Sequence, residues 1–166
     1  PKGGKGAMNL SKGAMEDYFD IGFELESTLR ERGKTKELEA IECSRSAHGS
    51  IAYVRQQEPL GLGHAVWCAR HFVGDEPFAV LLADELLWNP GNPCLKQMAE
   101  THDKHGGNVI AVLDVPEEHT QRYGIVDPGA VEGAVTEVMG FVEKPKPGTA
   151  PSRLAAVGRY IIQPEI

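Results

Sequence analysis

Phe78-Ala79-Val80-Leu81-Leu82-Ala83 is an unbroken apolar run that stops abruptly at Asp84-Glu85. Such a run is the pattern of a strand buried on both faces in a mostly parallel sheet. Asn108-Val109-Ile110-Ala111-Val112-Leu113 is another buried strand, and the segment Leu154 to Ile162 reads as the last strand. Helical spacing fills the intervals. Pro93–His105 sets Leu95, Met98 and Ala99 inward. Nearer the start, Met15, Tyr18 and Phe19, then Phe23, Leu25 and Leu29, then Leu38 and Ile41 mark faces opposite charged ones, and this stripe is expected to be core. Tyr123–Asp127 opens a hairpin whose turn signal is Pro128-Gly129, with Val135–Val142 returning. Pro116–Arg122 reads as a short turn, and Gln163–Ile166 as the start of a helix. Strands alternating with helices predict an α/β fold, a Rossmann-like three-layer sandwich with a mixed, mostly parallel central sheet.

In open α/β sheets ligands gather outside the carboxyl ends of the strands, which is where Asp84 stands. A hard carboxylate there suits Mg²⁺ bound jointly with substrate phosphates. The alternative is that Asp84 caps the next turn. A second candidate lies upstream, where Ile51–Val54, Gln56-Gln57-Glu58-Pro59-Leu60-Gly61-Leu62-Gly63 and Ala65–Ala69 read as strand, glycine-rich turn and helix. Gly61 and Gly63 let the backbone pass close to a ligand where a Cβ would intrude. The following helix offers free N–H groups and a positive dipole end, and the Gln56 amide could read a flat polar edge. A purely structural turn is the competing reading.

Composition narrows the partners. The net charge is −7 with no basic block, which argues against non-specific nucleic-acid binding. No apolar run is long enough to cross a bilayer, and no signal-peptide pattern opens the chain. Cys43, Cys68 and Cys94 are scattered and odd in number, suggesting neither a disulfide framework nor a zinc site, so a reducing cytoplasm is expected. His102 and His105 share a helical face, but lacking a third His or an acid in pattern they are assigned to solvent. Gly4-Lys5-Gly6-Ala7-Met8 is nearly repeated as Ser11-Lys12-Gly13-Ala14-Met15 without matching the P-loop pattern, and residues 1–13 are set apart as a flexible or altered segment.

The two candidate stretches together carry a resemblance. Tyr53 to Val66 resembles the base-binding segment of bacterial UTP–glucose-1-phosphate uridylyltransferases, and Val80-Leu81-Leu82-Ala83-Asp84 resembles their metal-carboxylate strand. Phe141-Val142-Glu143-Lys144-Pro145 and Val157-Gly158-Arg159-Tyr160 resemble the family's sugar-phosphate segments, in the family's order. The resemblance runs from about Lys12 to the last residue. It implies that residues 14–166 are the central part of a single nucleotidyltransferase domain. The implied enzyme is cytoplasmic, uses Mg²⁺ to join UTP and glucose 1-phosphate into UDP-glucose and pyrophosphate, and is a homo-oligomer when full length.

By the same resemblance, Gln56 and Gly61 would bind the nucleotide base and Asp84 the metal. Glu143 would accept hydrogen bonds from sugar hydroxyls, Lys144 would hold the sugar phosphate, and Gly124 and Val157 would wall the hexose. His64 is assigned a structural place at the helix start. The chain also departs from the pattern. Nothing in Pro1–Gly13 matches the family's glycine-rich phosphate loop, Ala83-Asp84-Glu85 stands where Pro-Asp-Asp is usual, and the second metal carboxylate is expected beyond Ile166. The fold is accordingly expected to be incomplete at both ends, and this exact chain to turn over little. Two alternatives stay open: a noncatalytic nucleotide-sugar-binding relative or regulatory subunit, and a related nucleotidyltransferase using dTTP or another hexose 1-phosphate.

Overall fold

The computed structural model describes residues 12–165. The expectation of a flexible or altered opening falls on residues 1–11, outside the described residues, while Lys12 and Gly13 already belong to a helix. The chain divides into two compact units, one ending at Arg55 and the other beginning at Gln56.

The first unit holds α1 (Lys12–Phe19), α2 (Phe23–Glu31) and α3 (Thr35–Ser44). Of the predicted stripe, among the described side chains only Leu29 is buried; Leu38 and Ile41 are half-buried, and Tyr18, Phe19, Phe23 and Leu25 remain exposed. The correction has a simple source. These helices are short, and among the described residues α2 packs appreciably only on α3, so one narrow seam is covered. Glu26 is buried in that unit, where its carboxylate accepts from Arg45 and, at 3.5 Å, from Arg30. Burying a carboxylate between two guanidiniums is tolerable because the charge is paired.

The second unit contains α4 (Leu62–Cys68), α5 (Arg70–Val73), β1 (Phe78–Leu81), α6 (Cys94–His105), β2 (Val109–Asp114), β3 (Gly124–Glu132), β4 (Val135–Glu143) and β5 (Leu154–Ile162). The expected turn at Pro116–Arg122 is a 3₁₀ helix over Glu117–Arg122. β5 is the hub of a five-stranded sheet. Ile161 pairs with Ala79 of β1 on one side and Val109 of β2 on the other, while Ala155 faces Leu113 of β2 and Ile125 of β3. β5 is hydrogen-bonded along both edges, and Ala155, Ala156, Val157 and Ile161 are buried there with Ile125 and Val126 of β3.

The α/β class holds, but the strand directions do not follow the sequence expectation. Every ladder among the described residues is antiparallel. β1 and β2 do run in the same direction, joined by a crossover through α6 as apolar runs separated by a helix imply, but β5 is inserted between them. β1 is not buried on both faces: Phe78 and Val80 are half-buried while Ala79 and Leu81 are exposed, because it has one lateral partner and one covered face. Ile51–Val54 forms no ladder among the described residues, and the helix after it breaks at Ala69 into α4 and α5. In α6 Met98 is buried as expected, but Leu95 and Ala99 are exposed.

Pro128-Gly129 is not the hairpin turn. β3 runs through it at a register irregularity, and the chain reverses at Gly133-Ala134, where Gly133 has φ +62°. A proline cannot donate to a ladder and is accommodated at such a bulge.

Candidate functional site

Gly61 stands immediately before α4 with φ +102° and ψ 179°, a conformation open essentially to glycine. A Cβ built on Gly61 or Gly63 meets nothing within 4 Å, so the backbone there is bare on its outer side. The half-buried Gln56 reaches across this bend: its Nε2 donates to the Gly61 carbonyl at 3.0 Å and lies 3.0 Å from His64 Nδ1. The His64 ring stacks on Trp67 at 5.7 Å between centroids, and the Arg70 guanidinium sits 3.6 Å over the Trp67 ring while donating to the Trp67 carbonyl. With only seven residues, α4 provides a smaller dipole than a continuous helix through Ala69 would.

A second cluster forms around β5. Asp84 is exposed in the turn after β1 and, among the described residues, makes no hydrogen bond or ion pair. That turn is held from behind. Arg159 of β5 donates to the carbonyls of Leu82 (2.8 Å), Gly158 (2.9 Å) and Glu85, and the Leu82 N–H donates to the Gly158 carbonyl at 2.8 Å. Gly158 has φ +32°, and a Cβ there would lie 2.9 Å from Leu82 Cβ and 3.3 Å from Glu85 Oε2. The Glu85 oxygen thus occupies the notch that glycine leaves; it is buried and has no hydrogen-bond partner. Tyr160, beside it, has its phenol pushed above the ordinary tyrosine range by burial first, then by the charges of Glu85 and Glu143.

The Glu143 end of β4 completes this cluster. Gly124 pairs with Glu143, and a Cβ on Gly124 would fall 2.0 Å from Phe141 Cζ and 3.0 Å from Glu143 Oε2, so only glycine lets that ring and carboxylate lie flat on β3. Lys144 follows with φ +46°, the one non-glycine residue with positive φ among the described residues. Its N–H donates to the Tyr123 carbonyl at 3.0 Å, which holds the strained bend, and its Nζ stands 3.6 Å from Glu143 Oε1 in solvent. Strain at an exposed charged residue is a common mark of a functional position. Val157 is 4% exposed, so its backbone rather than its side chain is what a ligand could meet.

The predicted residues therefore fall into two groups. Gln56 and Gly61 share the glycine bend, and the hydrogen bonds of the Gln56 side chain stay within it. Glu143 is brought near Tyr160 and Glu85, the neighbour of Asp84, by β4, β5 and the turn after β1. Asp84 and the orphaned Glu85 oxygen are hard donors, but no group of three or more metal-ligating side chains occurs among the described residues. That donor set suits a cation shared with substrate phosphates, not one caged by protein alone. Sequence reasoning missed Arg159 and Glu85. The available signal was a lone charge inside the apolar run Leu154 to Ile162, whose burial obliges it to find partners. His102, assigned to solvent, lies with its Nε2 2.8 Å from Gln163 Nε2. A concavity of about 430 Å³ opens in the first unit, but it is lined by Glu16, Asp17 and Asp20 with no basic residue, which does not suit phosphates.

Residues 23–166 match the family model described as nucleotidyl transferase. The chain belongs to the nucleotidyl transferase family. It is 53% identical to the UTP–glucose-1-phosphate uridylyltransferase of Bacillus subtilis strain 168 over 94% of this chain and 53% of that protein. Among solved structures it superposes on a UTP-bound UGPase from Acinetobacter baumannii with a TM-score of 0.85 and 40% identity, covering 94% of this chain and 56% of that one. A UDP-glucose pyrophosphorylase complexed with UDP-glucose gives 0.74 and 36%, covering 93% and 55%. The chain thus spans about half the length of the nucleotidyl transferase relatives it matches. Among the described residues no helix is long and apolar enough to cross a membrane.

Proposed function

We propose that this chain is the central part, residues 14–166, of a nucleotidyltransferase domain that transfers a uridylyl group from UTP to glucose 1-phosphate, giving UDP-glucose and pyrophosphate. The reading rests chiefly on one observation: Glu85, in the turn that carries Asp84, fills the notch at Gly158, and both its charge and that of Glu143 act on Tyr160. Relatives of matching sequence are uridylyltransferases, and one matching structure holds UTP and another UDP-glucose.

In this reading Gln56 and the bare backbone at Gly61 receive the base. Glu143 accepts hydrogen bonds from hexose hydroxyls, with Gly124 and the Val157 backbone lining the sugar. Lys144 offers its ammonium as a mobile point charge to the sugar phosphate. Asp84, unpaired, would hold Mg²⁺, which supplies charge neutralisation across the nucleotide phosphates when bound. The protein's own contribution is alignment, since phosphoryl transfer of this kind requires an oxygen of the sugar phosphate in line with the α-phosphorus. A cytoplasmic, homo-oligomeric full-length enzyme belongs to the same proposal.

Equilibrium binding of UDP-glucose to the chain and to Glu143→Ala tests it. The wild type should bind and the variant should lose at least tenfold in affinity, since a charge-assisted bond contributes about 1.5–3 kcal/mol. Equal affinity in both would refute the assignment.

A further inference from the structure

We infer that His64 is a specificity-determining positioning residue: it fixes which atom of the Gln56 amide faces the base, and so selects a pyrimidine that carries an N–H at ring position 3. The inference rests on the uridine-site reading and adds a residue which that reading leaves without a role.

The argument begins with a donor count. Gln56 Nε2 carries two hydrogens. One is directed to the Gly61 carbonyl at 3.0 Å, and because a carbonyl only accepts, the atom facing it must be the nitrogen and not Oε1. The second points to His64 Nδ1, also at 3.0 Å. With both donors engaged inside the bend, the amide has only Oε1 left to present. That oxygen accepts and cannot donate. Uracil and thymine carry a donor at N3, whereas neutral cytosine carries a lone pair there, so an acceptor-only amide joins the first two and repels the third. A glutamine free to rotate by half a turn would serve either base.

The lock depends on His64 offering a lone pair, which requires its ring proton on Nε2. The ring is kept in that orientation by its stack on Trp67, itself capped by Arg70. Cys68, one turn further on, stands 4.0 Å from both ring nitrogens, a weak sulfur contact beside the 3.0 Å approach of Gln56 Nε2 to Nδ1. Gly61 is needed as well, because its conformation turns the carbonyl toward Gln56.

Two substitutions separate the hydrogen bond from the ring. His64→Phe keeps the aromatic stack and removes the acceptor; His64→Asn removes the ring and returns an oxygen close to the Nδ1 position. Affinities of UTP and CTP for the chain and both variants are to be compared by calorimetry, with circular dichroism as the fold control. The wild type and His64→Asn should prefer UTP by at least about tenfold, and His64→Phe should bring the ratio near one, since a base meeting an unmatched polar group loses roughly that factor. A wild type without preference for UTP would overturn the uridine-site reading and the inference together. A His64→Phe protein that keeps the wild-type ratio would overturn the inference alone. Nitrogen NMR of the ligand-free protein gives a second readout: His64 should be the Nε2-protonated tautomer, and the Nδ1-protonated form would overturn the lock.

Discussion

Replacing Gly158 by alanine tests how the sheet places the candidate metal carboxylate. Two costs are foreseen. At φ +32° an L-residue enters the left-handed region at about 1 kcal/mol. The new methyl would also stand 2.9 Å from Leu82 Cβ, inside the distance that real Cβ contacts adopt. Leu82 cannot simply withdraw, because its N–H is bonded to the Gly158 carbonyl at 2.8 Å and its own carbonyl to Arg159. Relieving such overpacking costs roughly 1–3 kcal/mol. The sum is about 3 kcal/mol. Gly133→Ala is the control, since Gly133 also has positive φ, +62°, but a Cβ there meets nothing within 4 Å. It should cost only the conformational part, about 1 kcal/mol. Urea unfolding followed by circular dichroism measures both. Equal losses for the two variants, or less than about 0.5 kcal/mol for Gly158→Ala, would refute the claim that β5 and the Asp84 turn are in hard contact.

Arg159→Lys should destabilise by roughly 2–4 kcal/mol, because an ammonium cannot span the three carbonyls of Leu82, Gly158 and Glu85 at once; urea midpoints measure this. Lys144→Gly should raise stability by up to about 1 kcal/mol by removing strain at φ +46°, while weakening sugar-phosphate binding. A melting curve and a binding isotherm must move in opposite directions for this to hold. For Tyr160, burial and the neighbouring carboxylates favour the protonated phenol in the fold. Its stabilising effect is therefore complete below the ordinary tyrosine value of about 10 and is lost as pH rises through the higher folded-state value, since the unfolded chain ionises first. The tyrosinate absorbance of wild type minus Tyr160→Phe should titrate late, and Glu143→Gln should bring it part of the way back.

The sequence alone determined the α/β alternation, the positions of β1, β2, β5 and α6, and the segments of the candidate site. Apolar runs and helical spacing are local patterns, and a glycine bend or a strand ending in an acid is written in neighbouring residues. It did not determine strand direction, because a run buried by two lateral partners looks the same whether those partners are parallel or antiparallel. Nor could it locate the turn of the β3–β4 hairpin, since a proline can sit at a bulge as well as at a reversal. Only the tertiary structure decided that Arg159 would brace the Asp84 turn from a distant strand and that Glu85 would settle into the notch at Gly158. The same holds for His64, eight residues from Gln56, whose ring nitrogen meets the amide only once the bend is folded. Such partnerships depend on angles between elements, and those are set by how the whole sheet packs.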